Sequence, residues 1–264
     1  MSSTLQADPC RGRESFKVLG VRVDAVQIPG AVEQLKGWID QREGCHYVAV
    51  TGMHGVMEAL HDPNFRVVLN SADLVVPDGM PLVWLGRLNG HNLRRRVYGP
   101  EFMMAFCETT DGLGYRHFFY GGKPGVAEQL AATLKARFSG LQIAGVCTPP
   151  FRALTPAEDE AIVRQIEEAA PDVIWVGLST PKQEWWMRTH RDRLTVPVML
   201  GVGAAFDFHT GQGRQAPLWM REHGFEWLFR LCMEPRRLWR RYIVYGSEFV
   251  CCVALERLGL RKFE

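Results

Sequence analysis

Five short loops carry the residues of this sequence that could do chemistry. Each follows an apolar run typical of a buried β-strand, and together they span residues 51–54, 77–80, 120–125, 178–184 and 201–207. In open α/β sheets, ligands bind outside the carboxyl ends of the strands. We therefore expect these loops to meet at one edge of a sheet and to form a binding site there.

Asp78 is the first candidate for catalysis. It follows the apolar run ADLVVP and precedes a glycine. A carboxylate at the end of a strand, beside an apolar wall, can have a raised pKa and serve as a general base. The alternative is that Asp78 caps the N-terminus of the next helix. The sequence is compatible with both interpretations.

Two of the loops are rich in glycine and precede a helix. YGGKPG contains Gly121 and Gly122, and GVGAAF contains Gly203. Free backbone amides at the N-terminus of a helix stabilise phosphate groups. Neither loop has the spacing of a P-loop or of a dinucleotide fingerprint, so tight turns explain these glycines equally well.

Ligands for a metal ion are few. Asp207 and His209 in FDFH have a suitable spacing but no evident third partner, and His54 stands alone near a helix start. The sequence has no DxD motif, so the acidic clamp that usually holds a metal–nucleotide pair is missing. We predict no metal site and no cofactor. The charge of a leaving diphosphate would then have to be offset by side chains.

Arginines near the end of the chain can supply that positive charge. Four of them lie in PRRLWRRY, which spans residues 235–242, and Arg230 lies upstream. Residues four apart share a helix face, which pairs Arg237 with Arg241. Guanidinium groups bind phosphate oxygens in a bidentate manner. The alternatives are a solvated basic face or attraction to anionic lipid headgroups.

The elements that must position these residues alternate along the chain. Strand-like runs such as HYVAVTG, RHFFYGG and PDVIWVGLS are separated by helix-like segments such as PGVAEQLAATLKARF. Strands that alternate with helices of roughly 10–15 residues indicate a parallel sheet covered by helices. We predict an α/β fold with a mostly parallel sheet and helices on both faces.

The character of the chain changes after about Gly211. From there the sequence is helix-forming, aromatic and rich in arginine, with no strand pattern. We predict a flexible N-terminus at 1–15, a catalytic core at 16–211 and a helical appendage at 212–264. Aromatic residues such as Trp227 and Trp239 fit a belt at a membrane interface, and they also fit ordinary packing on the core.

Composition limits the classes of function. The chain has 264 residues, of which 47% are hydrophobic, and a net charge of only +2, which argues against a protein built to coat nucleic acid. Its 7 cysteines lack CxxC spacing, which favours reduced thiols in a cytoplasmic protein. The sequence has no secretory h-region and no apolar run of about 20 residues, so we expect neither secretion nor a spanning helix.

Taken together and in this order, the loops resemble the WecG/TagA/CpsF family of bacterial glycosyltransferases. The matching segments include ADLVVPDGMPLVW, RVYGPEF, PDVIWVGLSTPKQEWW, GVGAAFDFHTG and EPRRLWRRY, within about residues 16–242. The resemblance implies an inverting, metal-independent transfer of a sugar from a UDP-sugar to an undecaprenyl-diphosphate-linked sugar. It also implies a Rossmann-like core and a C-terminal appendage that completes the site at the inner face of the cytoplasmic membrane.

The same resemblance assigns roles to individual residues. Asp78 falls on the family's proposed base, Thr51 on its substrate-binding threonine, and Arg96 in RVYG on a motif arginine. Gln183 falls on the glutamine of PKQE. The appendage arginines that the family is proposed to direct at the diphosphate correspond to Arg230, Arg237 and Arg240.

Two further parts of the sequence, residues 182–184 and Met53, bear on the substrates. We hypothesise that Lys182 and Gln183 bind polar groups of the donor or acceptor, whereas Glu184 caps or pairs in the first helical turn. Met53 stands where the family typically has asparagine, and a thioether cannot donate a hydrogen bond to a sugar substituent. N-acetylmannosaminyl, N-acetylmannosaminuronyl and glucosyl transfer all remain open.

Two other functions are compatible with parts of the sequence. A Rossmann-type oxidoreductase could use GVGAAF for a dinucleotide, although the ribose-binding acid is missing. A membrane-surface adaptor could dock through its basic, aromatic tail and bind a nucleotide without turning it over. A homo-oligomer is also compatible with the sequence.

Overall fold

The computed structural model describes residues 13–263 of the protein. Most of the predicted flexible N-terminus, residues 1–15, lies outside the described residues, and Ser15 begins the first strand. The strands are β1 (Ser15–Val18), β2 (Val21–Asp24), β3 (His46–Thr51), β4 (Leu74–Pro77), β5 (Arg116–Gly121), β6 (Gln142–Cys147), β7 (Val173–Gly177) and β8 (Val198–Gly201).

Helices follow most of the strands. Those of the core are α1 (Ile28–Gln41), α2 (Met53–His61), α3 (Pro63–Asn70), α4 (Met80–Leu88), α5 (Gly99–Thr109), α6 (Val126–Arg137), α7 (Pro156–Ala169), α8 (Lys182–His190) and α9 (Ala205–His209). Those of the appendage are α10 (Leu218–Glu222), α11 (Glu226–Met233), α12 (Pro235–Trp239) and α13 (Tyr245–Arg257), with a π-helical turn at Arg240–Val244 between the last two.

Strands β3 to β8 form one six-stranded parallel sheet in the order β4-β3-β8-β7-β5-β6. Strands β1 and β2 form a separate antiparallel hairpin beside β4, where the carboxylate of Asp24 accepts a hydrogen bond from the backbone of Val75 at 2.7 Å. The predicted α/β fold is confirmed.

The sheet is buried on both faces, as parallel sheets require. Along β3, Tyr47 and Ala49 point into one apolar cluster, whereas Val48 and Val50 point into the other. Helices α2, α3, α4, α7 and α8 contribute to the first cluster, and α1, α5, α6 and α9 to the second. This two-sided burial fixes the strand register and therefore the positions of the loops at the carboxyl edge.

The last fifty or so residues are helical wherever they adopt regular structure, as expected for the appendage. Helix α13 packs on the first apolar cluster through Phe249 and Cys252 and lies beside α2. At the π-helical turn the N–H of Tyr245 donates to the carbonyl of Arg240, five residues earlier, instead of the four of an α-helix. The turn therefore redirects the side chains around it.

Candidate active site

The main cavity of the described residues lies at the carboxyl edge of the sheet and has a volume of about 430 Å³. The loops after β3, β4, β7 and β8 form one side of it, together with the segment before α5. Helix α11, the π-helical turn and α13 form the other side. Core and appendage therefore enclose one space between them.

Backbone contacts hold Asp78 at this edge. Its N–H donates to the carbonyl of Thr51 at 2.7 Å, which joins the end of β4 to the end of β3. The N–H of Val97 donates to the carbonyl of Pro77 at 2.8 Å and brings the segment of Arg96 to the same point. A Cβ atom at Gly52 would come within 2.3 Å of the carbonyl oxygen of Asp78, so only glycine fits there.

The carboxyl group of Asp78 has the properties of a base. It lines the cavity, and its Oδ1 atom is buried without a hydrogen-bond partner. Burial raises the pKa of Asp78 to about 6, against a smaller lowering by the charge of Arg96. Asp78 is not a helix cap, because α4 begins after Gly79, which is the N-cap with φ 137°. The capping alternative is therefore wrong.

Arg96 lines the cavity but is already paired. Its guanidinium forms an ion pair with Glu226 from the appendage, and its central carbon lies 4.1 Å from the ring centre of Tyr98. The hydroxyl of Tyr98 donates to the same carboxylate at 3.3 Å. Glu226 therefore takes up much of the charge of Arg96 and leaves Asp78 without an ion-pair partner. Nothing in the sequence points to Glu226, because its segment has the pattern of a surface helix.

Two cations of the appendage face the cavity, and they are only partly those predicted. Arg230 lines it, as expected, together with Arg241. Neither guanidinium has a carboxylate partner within residues 13–263, and Nε of Arg241 is buried without any hydrogen-bond partner. Burial lowers the pKa of Arg241. Both groups are therefore free to bind an anion in the cavity.

Arg237 and Arg240 lie elsewhere, which corrects their predicted placement. Arg237 is exposed and pairs with Glu234 at 2.8 Å, whereas Arg240 is exposed and lies 5.9 Å from the ring centre of Trp239. Their predicted role was implied by the family resemblance, whereas regular α-helical spacing would place Arg237 and Arg241 on one face. The two are separated in the structure, where the π-helical turn begins at Arg240 and Arg241 alone of this pair lines the cavity.

Gln183 is buried at the cavity and connects two of its loops. Its amide oxygen accepts a hydrogen bond from the N–H of Gly203 at 3.0 Å, and its amide nitrogen donates to Glu184 at 3.0 Å. Thr180 also donates to Glu184, at 2.8 Å. Glu184 is fully buried, and burial raises its pKa. The first role of Gln183 is therefore to hold the loops after β7 and β8 together.

The remaining predicted substrate-binding residues divide into two groups. Met53 and Gly203 line the cavity. Lys182 is exposed with its Nζ 5.3 Å from the ring centre of Phe151, and Thr51 is buried behind the lining.

Gly121 and Gly122 also lie outside the lining, and packing alone accounts for both. A Cβ atom at Gly121 would come within 2.7 Å of the backbone of Gly177. Gly122 has φ 80°, and a Cβ atom there would come within 3.2 Å of the ring of Phe206. The tight-turn interpretation therefore suffices for this loop.

The histidines near the cavity have no ligand arrangement. His54 lines the cavity, but burial lowers its pKa to about 3, so it is neutral at ordinary pH. His209 donates through Nε2 to the carbonyl of Pro100 at 3.0 Å. Within the described part of the chain, no three His, Cys, Asp or Glu side chains are grouped in a way that could hold a metal ion.

Residues 16–263 match the glycosyl transferase WecG/TagA/CpsF family. The chain is 30% identical over 224 residues to an N-acetylglucosaminyldiphosphoundecaprenol N-acetyl-beta-D-mannosaminyltransferase of Bacillus spizizenii, covering 85% of this chain and 84% of the relative. It is 28% identical to the protein of that name from Bacillus subtilis, covering 79% and 78%. It is 27% identical to that of Staphylococcus aureus strain MRSA252, covering 84% and 86%.

Proposed function

The chain belongs to the glycosyl transferase WecG/TagA/CpsF family, and from this we propose that it transfers a sugar from a UDP-sugar to a sugar linked to undecaprenyl diphosphate. The proposed reaction inverts the anomeric carbon and uses no metal ion or cofactor. Membership of a glycosyltransferase family argues against the two alternative functions, an oxidoreductase and an adaptor without catalytic activity. The observation that carries the proposal is the unpaired, buried carboxylate of Asp78 facing a cavity with free guanidinium groups.

Asp78 is the base of the proposed reaction. The hydroxyl oxygen of the acceptor attacks C1 of the donor sugar while its proton passes to the carboxylate of Asp78. With a pKa of about 6 the carboxylate is ionised at neutral pH. It is also more basic than an ordinary aspartate, which helps it to accept a proton from the attacking alcohol. One displacement at C1 from the face opposite the leaving group inverts its configuration.

Arg230 and Arg241 support the leaving group. The bond between C1 and the β-phosphate oxygen breaks, and its electron pair departs with UDP. Guanidinium groups aimed at an oxygen that gains negative charge lower the barrier in the way a metal ion does elsewhere. The two side chains without carboxylate partners fit this role better than Arg237 and Arg240, which are exposed.

The surface of the appendage supports contact with a membrane. No helix among residues 13–263 is long and apolar enough to span a bilayer. Large apolar side chains are nevertheless exposed along α10 to α13. They include Leu218, Trp219, Phe225, Trp227, Leu228, Met233, Trp239, Ile243, Val244 and Val250.

Aromatic and basic residues on one surface bind anionic membranes, each basic residue contributing about 1 kcal/mol. Arg236, Arg237 and Arg240 are exposed on the same part of the chain. We therefore place the protein peripherally on the inner face of the cytoplasmic membrane, where the lipid-linked acceptor is found.

A panel of donors and acceptors tests the proposed function. The purified protein is incubated with UDP-glucose, UDP-N-acetylmannosamine and UDP-N-acetylmannosaminuronic acid, each with diphosphoundecaprenol-linked sugars. Mass spectrometry of the lipid product identifies the pair that reacts, and NMR of its anomeric proton reads the configuration. Turnover in excess EDTA with an inverted product is expected. Binding of UDP without any lipid product, or a strict need for Mg²⁺, would contradict the proposal.

A further inference from the structure

A second cavity of about 350 Å³ lies next to the first. It lies between the segment before α5, the start of α4 and helix α10. Met80 and Arg96 line both cavities and so form the wall between them. The two spaces therefore adjoin at the point where Asp78 precedes α4.

The second cavity has an excess of positive charge. Four arginines line it, Arg94, Arg95, Arg96 and Arg221, but only two carboxylates, Glu101 and Glu222. The guanidinium of Arg94 has no ion-pair or hydrogen-bond partner among the described residues. An anion entering here therefore meets a cation that is not yet neutralised.

A further donor in this cavity is also free. Arg221 pairs with Glu101 at 2.9 Å through one terminal nitrogen, while its Nε is buried without a hydrogen-bond partner. Several donors of different geometry favour an anion with many oxygens, such as a diphosphate.

Apolar surface borders the basic cavity. Leu218 lines it and is 54% exposed. Trp84 is also exposed, and its ring lies 3.0 Å from the position of a Cβ at Gly224, next to His223. One helical turn further along α4, Leu88 is 70% exposed. A basic cavity beside an apolar surface suits a ligand with an anionic head and a hydrocarbon chain.

We propose that the second cavity binds the diphosphate of the polyprenyl-diphosphate-linked acceptor. This inference rests on the proposed function. Arg95, Arg96 and Arg221 are each paired with a carboxylate, which leaves the whole guanidinium of Arg94 and the free Nε of Arg221 for the phosphate oxygens of such a diester. The sugar of the acceptor passes Met80 and Arg96 into the main cavity, towards Asp78, and the polyprenyl chain leaves along the surface of Trp84 and Leu88.

Substitution of Arg94 tests this site without disturbing the fold, because its side chain is exposed and unpartnered. The probe is N-acetylglucosamine linked through diphosphate to a short, water-soluble alkyl chain, in the presence of UDP and without vesicles. Calorimetry should show at least about tenfold weaker binding for Arg94→Ala, and weaker still for Arg94→Glu. The affinity for UDP alone should stay at the parent value. Arg164→Ala, an exposed arginine on α7 away from both cavities, is the matched control.

The outcomes separate this inference from its alternatives. Unchanged binding of the soluble probe by Arg94→Glu, or no binding by the parent protein, overturns it. Loss of binding to phosphatidylglycerol vesicles with unchanged probe binding identifies the cavity as a phospholipid headgroup site and also overturns it. If the probe binds in an Arg94-dependent manner but no donor gives transfer, the proposed function fails while the diphosphate site stands.

Discussion

The two sides of the main cavity are built differently. On the core side, backbone hydrogen bonds from strand ends fix Asp78 and the segment of Arg96, and the strands behind them are buried on both faces. On the appendage side the helices are short and bury little: α10 buries no side chain, α11 only Glu226 and α12 only Leu238.

The difference concerns what holds each chemical group in place. The position of the base, Asp78, is set by the sheet, whereas the positions of Arg230 and Arg241 depend on how the appendage packs against the core. Ion pairs of Arg96 with Glu226, Arg95 with Glu222 and Arg221 with Glu101 connect the two sides. Helix α13 adds apolar contact. Substitutions on the core side should therefore affect proton transfer, and those on the appendage side departure of the leaving group.

The largest effect is expected from Asp78→Asn. An amide cannot accept the proton of the acceptor hydroxyl, so kcat should fall by about 10²–10⁴-fold while KM for the UDP-sugar changes little. Steady-state kinetics on the donor–acceptor pair measure this, with circular dichroism to verify folding. Near-normal turnover in a folded variant would show that Asp78 is not the base. The core side of the cavity would then not supply the proton acceptor.

The appendage side is tested by a matched pair of arginines four residues apart. Arg241→Ala removes a guanidinium from the cavity and should lower kcat by about 10–100-fold, the range for a charge-assisted hydrogen bond to a leaving group. Arg237→Ala removes an exposed arginine of the same helical segment and should stay within about twofold of the parent enzyme in detergent solution. The reverse ranking would show that Arg237, as the family resemblance implies, and not Arg241 faces the leaving group in the working enzyme.

Stability gives an independent view of Asp78. Its folded pKa of about 6 exceeds the ordinary value of 3.8, so its stabilising contribution is present at low pH and is lost as pH rises through 6. At pH 8 the buried charge costs free energy, and Asp78→Asn should raise the free energy of unfolding by on the order of 2 kcal/mol. The gain should shrink below pH 6. Urea denaturation at several pH values measures it, and a loss of stability at pH 8 would mean that the carboxylate is well solvated.

The pH dependence of the reaction follows from the same group. Because the base must be ionised, kcat/KM should fall about tenfold for each pH unit below about 6. This decline at low pH is the acidic limb of the pH profile. His54 should not contribute to it, since burial lowers the pKa of His54 to about 3. His54→Gln should therefore leave the limb in place. If activity no longer fell at low pH in that variant, the titrating group would be His54 and not Asp78.

The finest test addresses the link between the two sides. Glu226→Gln frees the charge of Arg96, which then lowers the pKa of Asp78, so the acidic limb of kcat/KM should move down by about one pH unit. Glu222→Gln removes a carboxylate of the second ion pair and should leave the limb where it is. A limb that does not move in Glu226→Gln would mean that Glu226 only fastens the appendage.

The sequence was sufficient for the α/β fold and for much of the core side of the cavity. Alternation of strands and helices, and the rule that ligands bind at carboxyl strand ends, lead directly to Asp78, Met53 and Gly203. Lys182 shows the limit of that rule, since a residue in the correct loop points to solvent beside Phe151. Position in a loop does not determine the direction of a side chain.

The appendage side was less predictable for a physical reason. A spacing of 3.6 residues per turn puts Arg237 and Arg241 on one face, and no sequence signature announces the π-helical turn that follows Arg237 and Trp239. Glu226 was missed because burial of a glutamate depends on its partner. That partner, Arg96, lies 130 residues earlier in the chain. Neither residue alone indicates the pair.

Gly52 has a consequence for how this protein can change. The space beside the carbonyl of Asp78 excludes even a methyl group. Any side chain at position 52 would therefore clash with the backbone, whatever its chemistry. Its neighbour Met53 presents a flexible thioether to the same cavity and meets no such barrier. A library designed to alter the choice of sugar should therefore randomise Met53 and leave Gly52 untouched.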